Sequence, residues 1–311
     1  MNTSTYHHPD FLIIGAGKSG TTALYKYLQQ HPQVFMPTTK EPDFFALEGE
    51  TPTDPKNDPE KLHYYPQAVY DAEEYQKLFQ EAKEDQLTGE ASTLYLYKEG
   101  THEKIKQYRP DIKMIAIFRN PAERLYSRYL HLARIEEQPE GPLENIFDKS
   151  TIWWRRNDLI YEGFYYQHLS KYFHLFKPEQ IKIFLYEDLK QDDLSVIKEV
   201  YEFLGVDDQF QPDTSIRFNE SGFIKNKWKE YLFGNQSIIR RMTEKIAPGF
   251  VQNLRKNPQW QKKVKQLRRQ NLERPEMSEK LKQRIIDEIY KEDILKFQEL
   301  INRDLSHWLK P

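Results

Sequence analysis

A glycine-containing loop near the start of the chain carries the residue types that bind anions. Gly15 and Gly20 bracket the loop, Lys18 lies inside it, and Thr21 and Thr22 follow it. An apolar run of strand type precedes the loop, and a segment with helical spacing follows. This layout directs backbone N–H groups and a helix N-terminus at a bound anion. The pattern predicts a phosphate-like ligand; the alternative is a plain strand-to-helix turn with glycines for tight packing.

The loop matches the P-loop of kinases and GTPases only in part. Gly15 and Gly20 keep the spacing of the pattern G-x-x-x-x-G-K-[ST]. The position after Gly20 is Thr21 rather than lysine, and the lysine of the loop is Lys18. A lysine ahead of the second glycine suits a different phosphate geometry. A P-loop kinase or NTPase is therefore the alternative function.

A charged pair, Lys40 and Glu41, follows a short apolar segment from Gln33 to Met36. Open α/β sheets carry their sites at strand ends, and a glutamate there can accept a proton in catalysis. Phe44 and Phe45 follow closely and would exclude water from it. The residues alone favour a surface turn with both phenylalanines packed into the core.

A second anion contact is predicted after the strand Lys113 to Phe118, which ends at Arg119. A helix from Ala122 to Arg134 follows, and Ser127 lies about two helical turns beyond Arg119. An arginine fork and a hydroxyl suit a phosphate group, and the end of a central strand is where such sheets bind ligands.

These candidate residues require a sheet that brings the strand ends together. Apolar runs predict strands near Phe11, Val34, Met114 and Ile181, and Leu87 to Tyr95 is a further strand candidate that runs into a loop. Strands alternating with helices are typical of a parallel sheet. The chain is therefore predicted to be α/β: a central parallel sheet flanked by helices, with a P-loop-like loop, a helical C-terminal portion and a single domain over residues 1–311.

Composition limits the function classes. Over 311 residues the formal net charge is −2, which argues against general coating with nucleic acid. Cysteine is absent, so disulfides and thiolate chemistry are excluded. The sequence has no Asp pair of Walker-B type after a strand, so no metal is expected. Met1 to Asp10 has no signal-peptide core and no apolar run has membrane-spanning length, so a cytoplasmic protein is expected.

A strongly basic stretch runs from Lys225 to Arg274, with fourteen Lys and Arg against three acidic residues. It is either a solvated helical surface or a rim that attracts an anionic cosubstrate, an acidic acceptor or, by peripheral contact, a membrane surface. The residues do not favour one interpretation over the other, and they give no sign of the oligomeric state.

Four motifs together resemble those of PAPS-dependent sulfotransferases, where PAPS is 3′-phosphoadenosine-5′-phosphosulfate. The similarity is greatest to the branch that contains heparan sulfate sulfotransferases and their bacterial relatives. The order and spacing of the motifs, which span most of the chain, make the resemblance specific. The motifs are Phe11–Thr22 with His31-Pro32, Lys40–Phe45, Arg119–Tyr129, and Gly163–Tyr165 with Tyr186–Leu189 and Phe203–Val206.

The resemblance implies a role for each matching position. The residues that would hold the nucleotide are Lys18, Ser19, Gly20, Thr21 and Thr22 at the 5′-phosphosulfate, Arg119 and Ser127 at the 3′-phosphate, and Gly222 and Lys225 in a segment that closes over it. Glu41 matches the catalytic base of this branch. His131 competes for that role, because other sulfotransferases use a histidine. Lys18 would also neutralise charge on the oxygen that leaves with the nucleotide.

The implied reaction is in-line transfer of a sulfuryl group from PAPS to a hydroxyl or amine of a carbohydrate or other small acceptor. It releases the desulfated nucleotide, PAP, and needs no metal. A non-catalytic nucleotide-binding module is a further alternative. Where heparan sulfate enzymes place a lysine after the glutamate matching Glu90, this chain has Ala91 and Ser92. The departure argues against a second catalytic lysine there and against assuming a heparan-type acceptor.

Overall fold

The computed structural model describes residues 9–52, 65, 67–135, 137–215, 223–224, 272–273 and 275–310. The chain divides into two compact units. The first unit comprises Met1–Tyr126, Gly141–Phe218 and Ser278–Pro311, and the second comprises Ser127–Glu140 and Asn219–Met277.

A five-stranded, wholly parallel sheet forms the centre of the first unit. Its strands lie side by side in the order β2-β3-β1-β4-β5. The strands are β1 (Phe11–Gly15), β2 (Val34–Phe35), β3 (Leu87–Ala91), β4 (Lys113–Phe118) and β5 (Ile181–Leu185). All four apolar runs assigned to the sheet are strands in it, and the α/β prediction is confirmed.

The strand β1 occupies the middle of the sheet. Phe11 pairs with Gly89 of β3 on one side and with Lys113 of β4 on the other. Because the strands are parallel, the segments that leave β3, β1 and β4 all emerge at the same edge of the sheet. Open α/β sheets bind their ligands at this carboxyl edge.

Helices cover both faces of the sheet. Those of the first unit are α1 (Thr21–Leu28), α2 (Phe44–Leu47), α3 (Ala72–Lys77), α4 (Thr101–Tyr108), the start of α5 (Pro121–Arg134), α6 (Ile152–Arg155), α7 (Tyr165–Leu175), α8 (Tyr186–Gln191), α9 (Asp193–Leu204), α10 (Glu279–Ile285) and α11 (Lys291–Leu300). A wide helical turn, Ile286–Tyr290, joins α10 to α11. The helical C-terminal portion is therefore confirmed.

The core explains why β4 is apolar from Met114 to Phe118. Ile115 and Ile117 belong to a buried cluster with side chains of β1, α1 and α9. Phe118 instead contacts Tyr165 of α7 and Phe297 of α11, each with ring centres 4.8 Å apart. A parallel strand covered on both faces has no solvent-facing side chain, so its sequence does not alternate.

The described residues of the second unit include part of one helix and two short strands. Residues 127–134 continue α5, and β6 (Phe223–Ile224) pairs antiparallel with β7 (Leu272–Glu273). Most of the basic stretch from Lys225 to Arg274 lies outside the described residues, as do Gly222 and Lys225.

Candidate active site

The glycine loop, residues 15–20, turns the chain from β1 into α1 through left-handed backbone. Lys18 has a φ of 65° and Gly20 a φ of 106°. The carbonyl of Gly20 accepts the N–H groups of Ala23 and Leu24 at 2.9 and 3.2 Å, which starts the helix. Residues with a Cβ rarely adopt a φ of 106°, and a Cβ at residue 20 would also lie 2.8 Å from Leu189 Cδ2, so glycine is favoured there. The loop thus ends at a helix N-terminus, where unpaired backbone N–H groups attract anions.

The side chains on the loop complete an anion-binding donor set. Ser19 is fully buried, and within the described part of the chain its Oγ has no hydrogen-bond partner. A buried hydroxyl without a partner is uncommon in folded proteins, and a ligand oxygen would satisfy it. Thr21 is buried, whereas Lys18 and Thr22 are half-buried. One ammonium and three hydroxyls within five residues of chain fit a phosphate or sulfate group.

A buried ion pair contacts the glycine loop. Glu162, in the turn Tyr161–Gly163 before α7, accepts the N–H of Gly17 on Oε1 at 2.6 Å. Its Oε2 lies 2.8 Å from Nη1 of Arg124 on α5. The pair was not found from the sequence, although both residues lie in or beside the segments that carry the family resemblance.

Arg119, directly after β4, and Lys282 form a cation pair, by which we mean two cations that contact the same carboxylate, that of Glu123. Nε and Nη2 of Arg119 contact Oε2 of Glu123 at 3.2 and 2.9 Å, and the Arg119 guanidinium lies 4.8 Å from the ring centre of Tyr186. Lys282 of α10 contacts Oε1 of the same carboxylate at 3.0 Å. Burial raises the pKa of Glu123, but Arg119 and Lys282 outweigh it and hold the pKa below its usual value. Two cations from distant elements therefore converge on one oxyanion.

Glu41 lies beside the end of β3. Its backbone N–H donates to the carbonyl of Ala91 at 2.9 Å, and its φ is 60°. Its side chain is one third exposed, with Oε1 2.5 Å from Lys40 Nζ and Oε2 3.5 Å from Gln67 Nε2. The contact to Gln67 lies at the upper limit of hydrogen-bond length, so Oε2 is the less firmly held of the two oxygens. Catalysis by Glu41 stays a prediction.

Phe44 and Phe45, which follow Glu41 closely in the chain, are packed in the core. Both are fully buried, and Phe44 stacks on Tyr75 with ring centres 4.2 Å apart. The packing of these two aromatic side chains agrees with the prediction from the residues alone.

Two further carboxyl groups are buried near Glu41. Glu90 of β3 accepts Ser92 Oγ at 2.8 Å and Tyr75 OH at 3.2 Å, and burial raises its pKa to about 7. Asp43 is also buried, and burial followed by the negative charges of Glu41 and Glu90 holds its pKa well above the usual value. Ser92 joins them, because its Oγ also accepts the N–H of Asp43 at 3.0 Å. No pattern in the sequence indicated that Asp43 is buried beside Glu90.

The remaining predicted site residues lie in the second unit or outside the described residues. Ser127 and His131 are half-buried on the portion of α5 in the second unit, where His131 Nδ1 lies 3.4 Å from Arg134 Nη2. Gly222 and Lys225 fall outside the described residues. The roles given to these four residues therefore stay predictions, as do the single domain and the cytoplasmic location.

The described ranges contain no group of three or more His, Cys, Asp or Glu side chains arranged to hold a metal ion. Within them, no helix combines the length and the apolar character needed to cross a membrane.

The sheet, the glycine loop after β1 and the arginine after β4 define an α/β protein that can hold two anionic groups at one edge of its sheet. Comparison with known proteins gives the class: the model of the sulfotransferase domain matches residues 8–303. The chain belongs to the sulfotransferase family, as the resemblance implied. Membership also favours sulfuryl transfer over the kinase alternative.

The relatives support the branch as well as the family. The crystal structure of a sulfotransferase from Alicyclobacillus acidocaldarius is 26% identical, with a TM-score of 0.65, over 97% of this chain and 99% of that one. The mouse bifunctional heparan sulfate N-deacetylase/N-sulfotransferase 4 is 28% identical over 245 residues, which are 74% of this chain and 26% of the relative. The bifunctional heparan sulfate N-deacetylase/N-sulfotransferase 1 of Caenorhabditis elegans is 26% identical over 82% of this chain and 28% of its own length. The chain thus spans little more than a quarter of these curated relatives.

Proposed function

We propose that this protein transfers a sulfuryl group from PAPS to a hydroxyl or amine of a carbohydrate or other small acceptor and releases PAP. Glu41 is the base in this proposal, and the glycine loop together with Arg119 holds the donor. No metal takes part.

One observation carries the proposal: the order of three groups along the carboxyl edge of the sheet. The backbone N–H of Glu41 donates a hydrogen bond to the end of β3, the glycine loop follows β1, and Arg119 follows β4. Neighbouring strands are about 4.8 Å apart, so the loop starts one strand away from each flanking group. PAPS has a 5′-phosphosulfate and a separate 3′-phosphate. The order supports the 5′ group at the loop, the 3′ group towards Arg119 and the acceptor on the opposite side, towards Glu41.

The residues of the loop match the charge of the donor's reactive end. When bound, PAPS supplies an activated sulfuryl group on its 5′-phosphate. Lys18 and the backbone N–H groups at the start of α1 neutralise charge on that phosphate, where fixed donors have most effect. The Ser19 hydroxyl, which has no hydrogen-bond partner among the described residues, gives the loop one more donor for a ligand oxygen. Because these groups are already in place, positioning supplies much of the remaining acceleration.

The cation pair suits the other end of the nucleotide. Arg119 and Lys282 already hold a carboxylate between them, and a phosphate monoester carries more charge and more acceptor oxygens than a carboxylate. A 3′-phosphate contact at this point would distinguish PAPS from nucleotides that lack that group.

On the acceptor side, Glu41 takes the proton that the hydroxyl or amine loses. Lys40 holds Oε1 and leaves Oε2 with the longer contact to Gln67, so Oε2 is the oxygen suited to the proton. The names of the curated relatives support a glycan among the acceptor classes. Ala91 and Ser92 stand where those enzymes are expected to have a lysine, which supports an acceptor other than heparan sulfate itself.

The test is a calorimetric titration of the protein with PAP and, separately, with ATP and magnesium. A ligand that binds only the folded protein raises stability by about 2.7 kcal/mol at a hundredfold excess over Kd, so a thermal shift gives a second readout. We expect binding of PAP and little effect of ATP; the reverse result would support the kinase alternative. PAP binding without sulfate transfer to a panel of glycans, amines and phenols would support the non-catalytic module.

A further inference from the structure

The ion pair between Arg124 and Glu162 is isolated from water. Arg124 has no exposed surface and Glu162 is 3% exposed. The guanidinium also donates to the backbone carbonyls of Asp158, at 3.3 Å, and of Leu159. Each charge is thus paired and hydrogen-bonded, as buried charges must be.

Folding stability alone does not explain such a pair. Removal of two charges from water opposes most of their attraction, and apolar residues of equal volume often serve as well or better. What apolar residues could not supply is an acceptor for the loop. Glu162 Oε1 accepts the N–H of Gly17 at 2.6 Å across 145 residues of chain. A Cβ on Gly17 would lie 2.8 Å from the same oxygen, so the loop backbone rests directly against the carboxylate.

A lone carboxylate would be a poor support for a loop that binds an anion, because its charge would repel the ligand. The guanidinium of Arg124 offsets that charge at 2.8 Å while leaving Oε1 bonded to the loop. Arg124 also belongs to the first turns of α5, the helix that begins two residues after Arg119. One carboxylate therefore links the peptide next to Lys18 with the helix next to Arg119.

We propose that the Arg124–Glu162 pair is a positioning element of the donor site, which fixes the glycine loop relative to the start of α5. It sets the separation between the residues that take the 5′-phosphosulfate and those that take the 3′-phosphate. This inference rests on the proposed function, because it assumes a ligand with both groups.

Two double variants separate the effect of the hydrogen-bond acceptor at residue 162 from the effect of the buried charges. Arg124→Met/Glu162→Gln removes both charges but keeps a side-chain oxygen for Gly17. Arg124→Met/Glu162→Leu removes both charges and that oxygen at nearly the same volume. The measurements are the Kd for PAP, by calorimetry well below the melting temperature of either variant, and the melting temperature itself.

We expect the Gln variant to bind PAP within about threefold of wild type. The Leu variant should bind about tenfold more weakly, the usual effect of one lost hydrogen bond at a fixed site. A structural role would lower the melting temperatures without separating the two affinities. Equal PAP affinities in the two double variants would overturn the proposal. Failure of the wild type to bind PAP would instead overturn the proposed function.

A second pair of variants keeps the test open if the double variants do not fold. Glu162→Gln keeps the length and the acceptor, whereas Glu162→Asp keeps the charge but withdraws from Gly17 by one methylene group. The proposal requires weaker PAP binding by the Asp variant than by the Gln variant. The opposite order would show that the charge, and not the bond to Gly17, is what matters.

Discussion

Replacement of Glu90 by glutamine should flatten the dependence of stability on pH. Glu90 is fully buried on β3 and accepts hydrogen bonds from Ser92 and Tyr75 at 2.8 and 3.2 Å. Burial raises its pKa from 4.5 to about 7, although these hydrogen bonds, and one from Tyr95, favour the ionised form. Glutamine has the same shape and can keep a hydrogen bond on each side, so the substitution removes the titration and little else.

The sign follows from which state binds the proton. Between pH 4.5 and 7 the folded protein keeps Glu90 protonated while the unfolded chain has released that proton. The contribution of Glu90 to the free energy of unfolding therefore falls as pH rises through this window and is constant above it. Integrated from pH 5 to pH 8, the fall is roughly 2.5 kcal/mol, equivalent to roughly 4 °C in Tm for a chain of this length.

The assay is urea unfolding of the wild type and Glu90→Gln at several pH values between 5 and 8. Subtraction of the two curves cancels other buried groups, such as Asp293 with its raised pKa of about 6 and His168 with its lowered pKa of about 4. Glu84→Gln, at an exposed position, is the control and should follow the wild type. Parallel curves for wild type and Glu90→Gln would refute the reasoning, because they would mean that Glu90 titrates alike in the folded and unfolded chains.

Three further predictions concern the donor and acceptor sides of the site. Glu41→Gln should lower kcat by about 10²–10⁴ while PAP affinity is retained; a loss of that size in His131→Asn, with Glu41→Gln near wild type, would transfer the role of base. Arg119→Ala should weaken PAP far more than adenosine 5′-phosphate in calorimetry, and equal losses would contradict the 3′-phosphate assignment. Lys282→Met should show the same selectivity to a smaller degree, about tenfold, with Lys280→Met on the same helix as the control that stays unchanged.

The strands of the sheet could be predicted from the sequence, but the position of β3 between β1 and β2 could not. The runs around Phe11 and Met114 are uninterrupted because both faces of those strands are buried. In β3, by contrast, Gly89 and Glu90 are buried although both residue types are depleted from strands. Nothing in that segment indicates that it lies between β1 and β2. Strand order is set by tertiary packing, which local patterns do not contain.

The candidate site could be predicted where one short segment carries it. The glycine loop and Arg119 are each readable because the ligand contacts lie next to a strand end. The contacts that support them are not: Glu162 reaches Gly17 across 145 residues, and Lys282 reaches Glu123 across 159. A single charged residue in a helix is usually a solvated one, so its type gives no hint of a partner so far along the chain.

The central place of β1 also bears on how the chain folds. Its apolar run precedes both neighbours in the chain, yet β1 cannot pair until β3 and then β4, which ends at Phe118, have been synthesised. Parallel pairing between such distant segments is slow, and an unpaired apolar strand is prone to aggregation in the meantime. The glycine loop depends on the same pairing, because the N–H of Ala16 donates to the carbonyl of Ile117 on β4. The glycine loop therefore reaches its final backbone conformation only after β4 has paired with β1, so this loop is assembled late in folding.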